Sequence, residues 1–441
     1  MHRSTSRVWL LRLAPVFVFV LVLLGQAPLI LNPGYFSHDE LQWAAFADQG
    51  VTFSWTAIDA FQYRPLTFNL WLWLSRHWFA QPHELHGALV AWGAANAALL
   101  CVLTRRLGVA AGPAMLGALV FGLGPYAAYV HGWVGTIADL AWVSCALLTV
   151  LWVRESRSVT IAAVGAALLG LVGLLAKEAA LVIPALLAIA WWLDGRKRTW
   201  AAAALATAVV AAVYLALRLG ALLHAPSAGA QYVVSLANVP LRWVEYQLFP
   251  PMPSRFEISG SVATAGSKRI VGTALLWGLL LATLWRSHRR LAALFVFGGA
   301  AALGPVLLMA SSANQYGYGF AAVTAAVAAA AWTNAPRWGR MTLALAALLC
   351  VWHGVNVTHV MRRAGDVQAV FSPALADAMR SGTGPVRLRP ASDADTWIFQ
   401  RLTHEIPSYR GVPIGDRVSI VGVQAPADYV IQADGRLTPL R

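Results

Sequence analysis

The chain has 441 residues, 59% of them hydrophobic and only 12% charged, with a mean hydropathy of +0.61. That balance excludes an ordinary soluble domain, since apolar runs near 20 residues are the length that crosses a bilayer. The net charge of +14 does not point to nucleic acid, because most Lys and Arg sit in short connections between apolar runs, where they set membrane orientation.

In chain order, eleven apolar stretches read as spans, near 10–31, 85–103, 109–130, 137–153, 159–176, 179–193, 200–221, 271–285, 291–310, 318–335 and 341–360. The expected fold is an all-α polytopic membrane protein. The first stretch follows basic residues, lacks a small-residue cleavage site and is long for a signal peptide, so it reads as a retained span. A cytoplasmic N-terminus puts Arg3, Arg7, Arg12, Arg105, Arg106, Arg154, Arg157, Arg196, Lys197, Arg198, Arg286, Arg289, Arg290, Arg337 and Arg340 inside. The turns near 131–136 and 311–317 carry no Lys or Arg, and 177–178 carries one Lys. This pattern predicts a plasma membrane (bacterial inner membrane) protein with its working face outside.

Phe68 to Phe79 is apolar but too short to span, and Arg76 and His77 break it. It reads as an amphipathic interfacial helix in the first outer loop, 32–84. A second large outer loop covers 222–270, and residues 1–361 form the expected transmembrane domain. Residues 362–441 read as a small outer C-terminal β or α+β domain, on the β-like runs at 418–423 and 428–433. Arg362 and Arg363 lie against the charge rule there. Cys101, Cys145 and Cys350 fall inside apolar runs at no metal-ligand spacing and read as buried and unpaired.

Ionisable residues concentrate near the outer face. Ser37-His38-Asp39-Glu40 opens a short helix over 38–48. A capping box would use Ser37 and Glu40, leaving Asp39 free to deprotonate an acceptor hydroxyl. His38 reads equally as a polar neighbour. Tyr63-Arg64-Pro65-Leu66 places an Arg before a Pro-started helix, either snorkelling beside aromatics or clamping phosphate. Further on, His131, Trp133 and Asp139 belong to one outer turn and the helix start after it, with Thr136 and Asp139 as a capping pair; His131 and Trp133 face the pocket of Asp39 if the spans bundle. Lys177-Glu178 interrupts a long apolar run; the two pair with each other, or Lys177 meets a lipid phosphate. Arg218, Arg242, Arg255, Lys268 and Arg269 accompany Tyr232, Trp243, Tyr246 and Phe249 around the second loop, as an interfacial helix or an anionic-headgroup site. Gln315, Tyr316 and Tyr318 offer hydrogen bonds to a sugar, and Asn356-Val-Thr358 matches a glycosylation pattern inside a span.

In this order, four of these pieces resemble the GT-C superfamily of integral membrane glycosyltransferases. They are Asp39-Glu40, Tyr63-Arg64-Pro65-Leu66, the His131…Gly135…Ala138-Asp139-Leu140 stretch and Lys177-Glu178. The nearest look is to the transmembrane and tetratricopeptide-containing O-mannosyltransferases and their bacterial relatives, over roughly residues 30–195. The resemblance implies a polyprenyl- or dolichyl-phosphate-linked sugar donor and transfer on the outer face, without nucleic acid. Asp39, beside Glu40, would be the catalytic carboxylate, and Arg64 and Lys177 would hold phosphate with help from Arg218 or Arg242. His38, Tyr63, His131, Trp133, Asp139, Glu178, Gln315 and Tyr316 would support the pocket. No cofactor is defined; a divalent metal beside His38 and Asp39 stays open, with no complete ligand set. Relatives often show two Asp where this chain has Asp-Glu, and it lacks the tetratricopeptide repeats. The acceptor therefore stays open between glycolipid, polysaccharide and protein. Two rivals remain: a lipid-linked sugar flippase, which the scarcity of charge in mid-span disfavours, and a polymerase or ligase using a later outer loop.

Overall fold

The computed structural model describes residues 13–223, 233–382 and 384–440. Arg3, Arg7, Arg12 and Tyr232, with parts of the first span and the second loop, lie outside the described residues. Each of the eleven apolar stretches is built around helix. Among the described residues, seven helices are long and apolar enough to cross a membrane. They become eight if Ala111–Leu123 and Pro125–Gly132, bent by 52°, count as one span. The sequence count of eleven is higher because Ala14–Gly25, Glu178–Leu193 and Tyr318–Trp332 are helical but short.

The breaks follow local chemistry. Pro125 disfavours helical backbone at Gly124, which is extended (φ −74°, ψ 171°), so the chain bends there. Lys177 is also extended (φ −162°, ψ 141°) and separates the Val159–Ala176 helix from the 3-10 turn Glu178–Val182. That break turns two charged side chains sideways into the bundle. Small residues set the closest crossings, as elsewhere in membranes. A Cβ on Gly354 would lie 1.8 Å from the Leu123 carbonyl oxygen, so only glycine lets the last long helix cross this bend. Leu168, Leu205, Leu217 and Leu348 project outward as a lipid-facing surface.

The first large loop, residues 32–84, carries two helices, His38–Asp48 and Pro65–Trp78. The second has 14 residues, too short to cross, and starts on a proline whose fixed φ suits a first helical position. Its Trp71 stacks on Trp43 of the first at 4.0 Å between ring centroids.

The last membrane helix runs from Arg337 to Ser381 without interruption. At 1.5 Å per residue its 45 residues reach about 67 Å, more than twice a hydrocarbon core of about 30 Å. Arg362 and Arg363 ride on it: Arg362 pairs with Asp366 and donates to the Leu31 carbonyl, and Arg363 pairs with Asp395.

After it comes a small α+β unit. A four-stranded sheet has the spatial order Val418–Ile420, Val386–Pro390, Tyr429–Ile431 and Leu437–Pro439. The first two pairings are parallel and the last antiparallel. The Thr396–Thr403 helix links the first parallel pair and packs Phe399 edge-on against Phe371 of the long helix, 5.1 Å between centroids.

Candidate active site

The break at Lys177 gathers charge from four parts of the chain. The Lys177 ammonium donates to both oxygens of Asp139, at 2.7 and 2.6 Å, with both side chains nearly fully buried. Trp142 adds an indole N–H to Asp139 Oδ1 at 3.2 Å. Arg64 Nε donates to Glu178 Oε2 at 2.8 Å, and Arg218 approaches the other oxygen of that carboxylate at 3.8 Å. Three cations thus face two carboxylates, a net charge of +1 in a region of low dielectric. Tyr316 closes the group, its ring centroid 4.8 Å from Lys177 Nζ. Thr67, one turn along from Arg64, donates to the Ala176 carbonyl at 2.7 Å and pins the Pro65–Trp78 helix to this break.

Two simple readings are overturned. Lys177 and Glu178 do not neutralise each other: Lys177 takes Asp139 and Glu178 takes Arg64, because the extended Lys177 backbone sends the neighbouring side chains to different partners. Nor do Thr136 and Asp139 form a capping pair. The Thr136 hydroxyl donates to the Val130 and Trp133 carbonyls instead, leaving Asp139 to face Lys177.

Arg218 directs its donors to the carbonyls of Ala60 and Phe61, at 2.8 and 2.7 Å, and to the Tyr214 hydroxyl at 3.0 Å. Its guanidinium lies 5.4 Å from the Tyr63 ring centroid. It therefore anchors the end of the first loop above the charged cluster. Arg242 is compensated locally by Glu245 at 2.6 Å, and Ser312 donates to the same carboxylate. The Tyr246 hydroxyl donates to the Ala313 carbonyl at 3.2 Å, at the start of the 3-10 turn that carries Tyr316. Gln315 is half-buried on the same 3-10 turn as Tyr316.

Asp39 sits apart from these pairs, partly exposed, with His38 Nε2 2.9 Å from its Oδ1. Glu40 is buried and used by the backbone: the Ser37 N–H donates to it at 2.7 Å, completing the capping box, and the Val134 N–H at 3.1 Å. Burial pushes its carboxyl up to about 8 despite those two donors. The second bond ties the Asp39 helix to the turn leading into Asp139. Trp133 lies at the same rim. His131 turns into the bundle, enclosed between Gln26 (2.6 Å) and Tyr318 (3.1 Å), where only Gly93 leaves room for its ring. Among the described residues no group of three or more His, Cys, Asp or Glu is placed to hold a metal.

Arg401, on the C-terminal unit's helix, has no sequence signal beyond its place on an amphipathic segment, yet it organises the rim. Its guanidinium lies 4.3 Å from the Phe36 ring centroid and 5.5 Å from that of Trp133. Its Nε donates to the N-cap hydroxyl of Ser37 at 3.2 Å, and it meets Glu257 at 3.4 Å. His404 brings its ring within 5.1 Å of His38. The C-terminal unit is thus seated on the loop that carries Asp39.

No known protein family matches the sequence, and no curated protein does. In structure the chain is similar to ArnT from Cupriavidus metallidurans, a crystal structure bound to undecaprenyl phosphate. The TM-score is 0.52, with 13% identity, over 96% of this chain and 87% of that one. The likeness is one of fold: the two chains share an all-α polytopic membrane arrangement.

Proposed function

We propose that this protein transfers a sugar from a polyprenyl-phosphate-linked donor to a hydroxyl of a glycolipid, polysaccharide or protein. Transfer would occur on the outer face of the plasma membrane, with the N-terminus cytoplasmic and the 362–441 region outside. The observation that carries this reading is the buried pair Lys177–Asp139 beside the half-buried pair Arg64–Glu178 at the end of a membrane helix. Ionisable groups at that depth are costly and mark a polar ligand's path. The likeness to a protein whose crystal structure holds undecaprenyl phosphate supports the donor class.

The chemistry follows from what these groups leave open. Arg64 uses Nε on Glu178, so its terminal nitrogens remain for a phosphate fork. Lys177 adds a point charge. Arg218 stands behind them as the third cation, while Arg242 adds a donor site only if a ligand draws it from Glu245. Asp39 accepts the acceptor's hydroxyl proton as that oxygen attacks the anomeric carbon. The bond from that carbon to the phosphate oxygen breaks, its electron pair leaving with the lipid phosphate. The leaving group gains one negative charge, which the fixed cations stabilise. A single displacement inverts the anomeric configuration.

A lipid-linked polysaccharide ligase would share this chemistry but rest on Arg242 and the later loop. The first test is turnover of a panel of radiolabelled polyprenyl-phosphate sugars by the purified chain in detergent. Transfer or donor hydrolysis with at least one donor supports the proposal. Binding of every donor without turnover opposes it and favours transport.

A further inference from the structure

The membrane region holds a second built site far from the charged cluster. An apolar cavity of about 420 Å³ lies between the helices, and among the described residues its wall is aliphatic and aromatic apart from Thr104, Arg154, Asp194 and Arg290. Trp142 closes one end. Its indole N–H donates to Asp139, so Trp142 stands between that carboxylate and the cavity. The other end opens at Arg154, Asp194 and Arg290. Arg154 is 15 residues from Asp139 on the same helix, so this mouth lies about 22 Å from the charged cluster, toward the opposite end of that helix.

A separate pocket of about 320 Å³ adjoins that mouth and shares Arg154, Asp194 and Trp200 with the cavity. Its wall adds Lys197, Arg198 and Thr199. Arg198, Thr199 and Trp200 begin a 26-residue helix, so backbone N–H groups and the positive end of a helix dipole face the same space. Across both cavities four cations, Arg154, Lys197, Arg198 and Arg290, meet one carboxylate. Asp194 already accepts from Lys197 and Trp200 at 2.8 Å and from Arg154 at 3.4 Å. The net charge is +3 before any ligand is counted.

We propose that these joined cavities bind one anionic phospholipid from the leaflet at the Arg154 end, with an acyl chain in the apolar cavity and the phosphate in the basic pocket. Water finds too few polar partners to fill the apolar part, whereas hydrocarbon restores the dispersion contacts its walls otherwise lack. The excess cations and helix N-terminus select a negative headgroup over a zwitterionic one. A polyprenyl tail entering from the charged cluster would have to pass the Trp142 ring.

Native mass spectrometry of the delipidated full chain tests this with phosphatidylglycerol and phosphatidylcholine of identical acyl chains, and with undecaprenyl phosphate. We expect one phosphatidylglycerol per chain, retained about tenfold over phosphatidylcholine, and about tenfold weaker retention in Arg198→Gln/Arg290→Gln, whose side chains are exposed. Ala326→Phe, which fills the apolar cavity, should reduce retention of both phospholipids and leave undecaprenyl phosphate binding unchanged. Equal retention of the two phospholipids, unaltered by either variant, would overturn the site. One-for-one displacement of phosphatidylglycerol by undecaprenyl phosphate would also overturn it, assigning the cavity to that lipid instead. Neither readout depends on sugar transfer.

Discussion

Lys177 and Asp139, separated by 38 residues in sequence, meet through hydrogen bonds of 2.6 and 2.7 Å between Nζ and both carboxylate oxygens, in surroundings almost closed to solvent. Removing one member leaves the other as an uncompensated buried charge. Lys177→Met and Asp139→Leu should each destabilise the protein by about 3–5 kcal/mol, and the double variant should recover most of that loss. Thermal unfolding in detergent reads both. The double variant should still lose donor binding, because no ammonium remains for the phosphate.

In the proposed reaction Arg64 holds Glu178 through Nε while its terminal nitrogens take the donor phosphate. Lysine has one nitrogen and no fork. Arg64→Lys should therefore raise the donor KM about tenfold, roughly the loss of one charge-assisted hydrogen bond of about 1.5 kcal/mol, while the fold is kept. Steady-state kinetics with the preferred donor check it.

Glu40 has a carboxyl raised from 4.5 to about 8 by burial. The folded state therefore holds a proton that the unfolded chain releases near pH 4.5. This contribution to stability is complete below pH 4.5 and is lost as pH rises towards 8, at up to about 1.4 kcal/mol per pH unit. Melting temperatures of the wild type should fall between pH 5 and 8 more steeply than those of Glu40→Gln. Parallel profiles would refute this assignment.

Arg401 lies against Phe36 and Trp133 and donates to Ser37. Arg401→Gln should cost about 0.5–2 kcal/mol from the lost cation–π contacts and loosen the C-terminal unit from the first loop. Hydrogen exchange should rise at 36–48 and 396–405 and stay unchanged at 159–193. If Arg401 also positions Asp39 for transfer, kcat should fall while donor affinity holds.

What was legible in the sequence depended on range. The capping box at Ser37 and Glu40 spans four residues, and the structure forms it. The helical stretches were legible because each is an apolar run between polar connections, but span counts blur where a helix is short or bent, as at Gly124-Pro125. The partner of Asp139 was not legible, since a local pattern offers Thr136 while the break at Lys177 acts only once the helices pack. The last helix extends beyond its apolar part because helix needs no hydropathy to continue, and its polar extension found partners in Asp366 and Asp395. Arg401 was invisible for the same reason: its meaning comes from 364 residues of separation to Ser37.

In the proposed reaction Asp39 takes the acceptor's proton as sugar leaves a polyprenyl-phosphate donor. The most direct measurement compares purified wild type and Asp39→Asn for both donor binding and transfer. With Asp39 as the base, the wild type transfers sugar, the variant's kcat falls by at least about 100-fold, and donor binding is unchanged. Equal turnover by the two proteins would contradict that role and remove Asp39 from the chemistry.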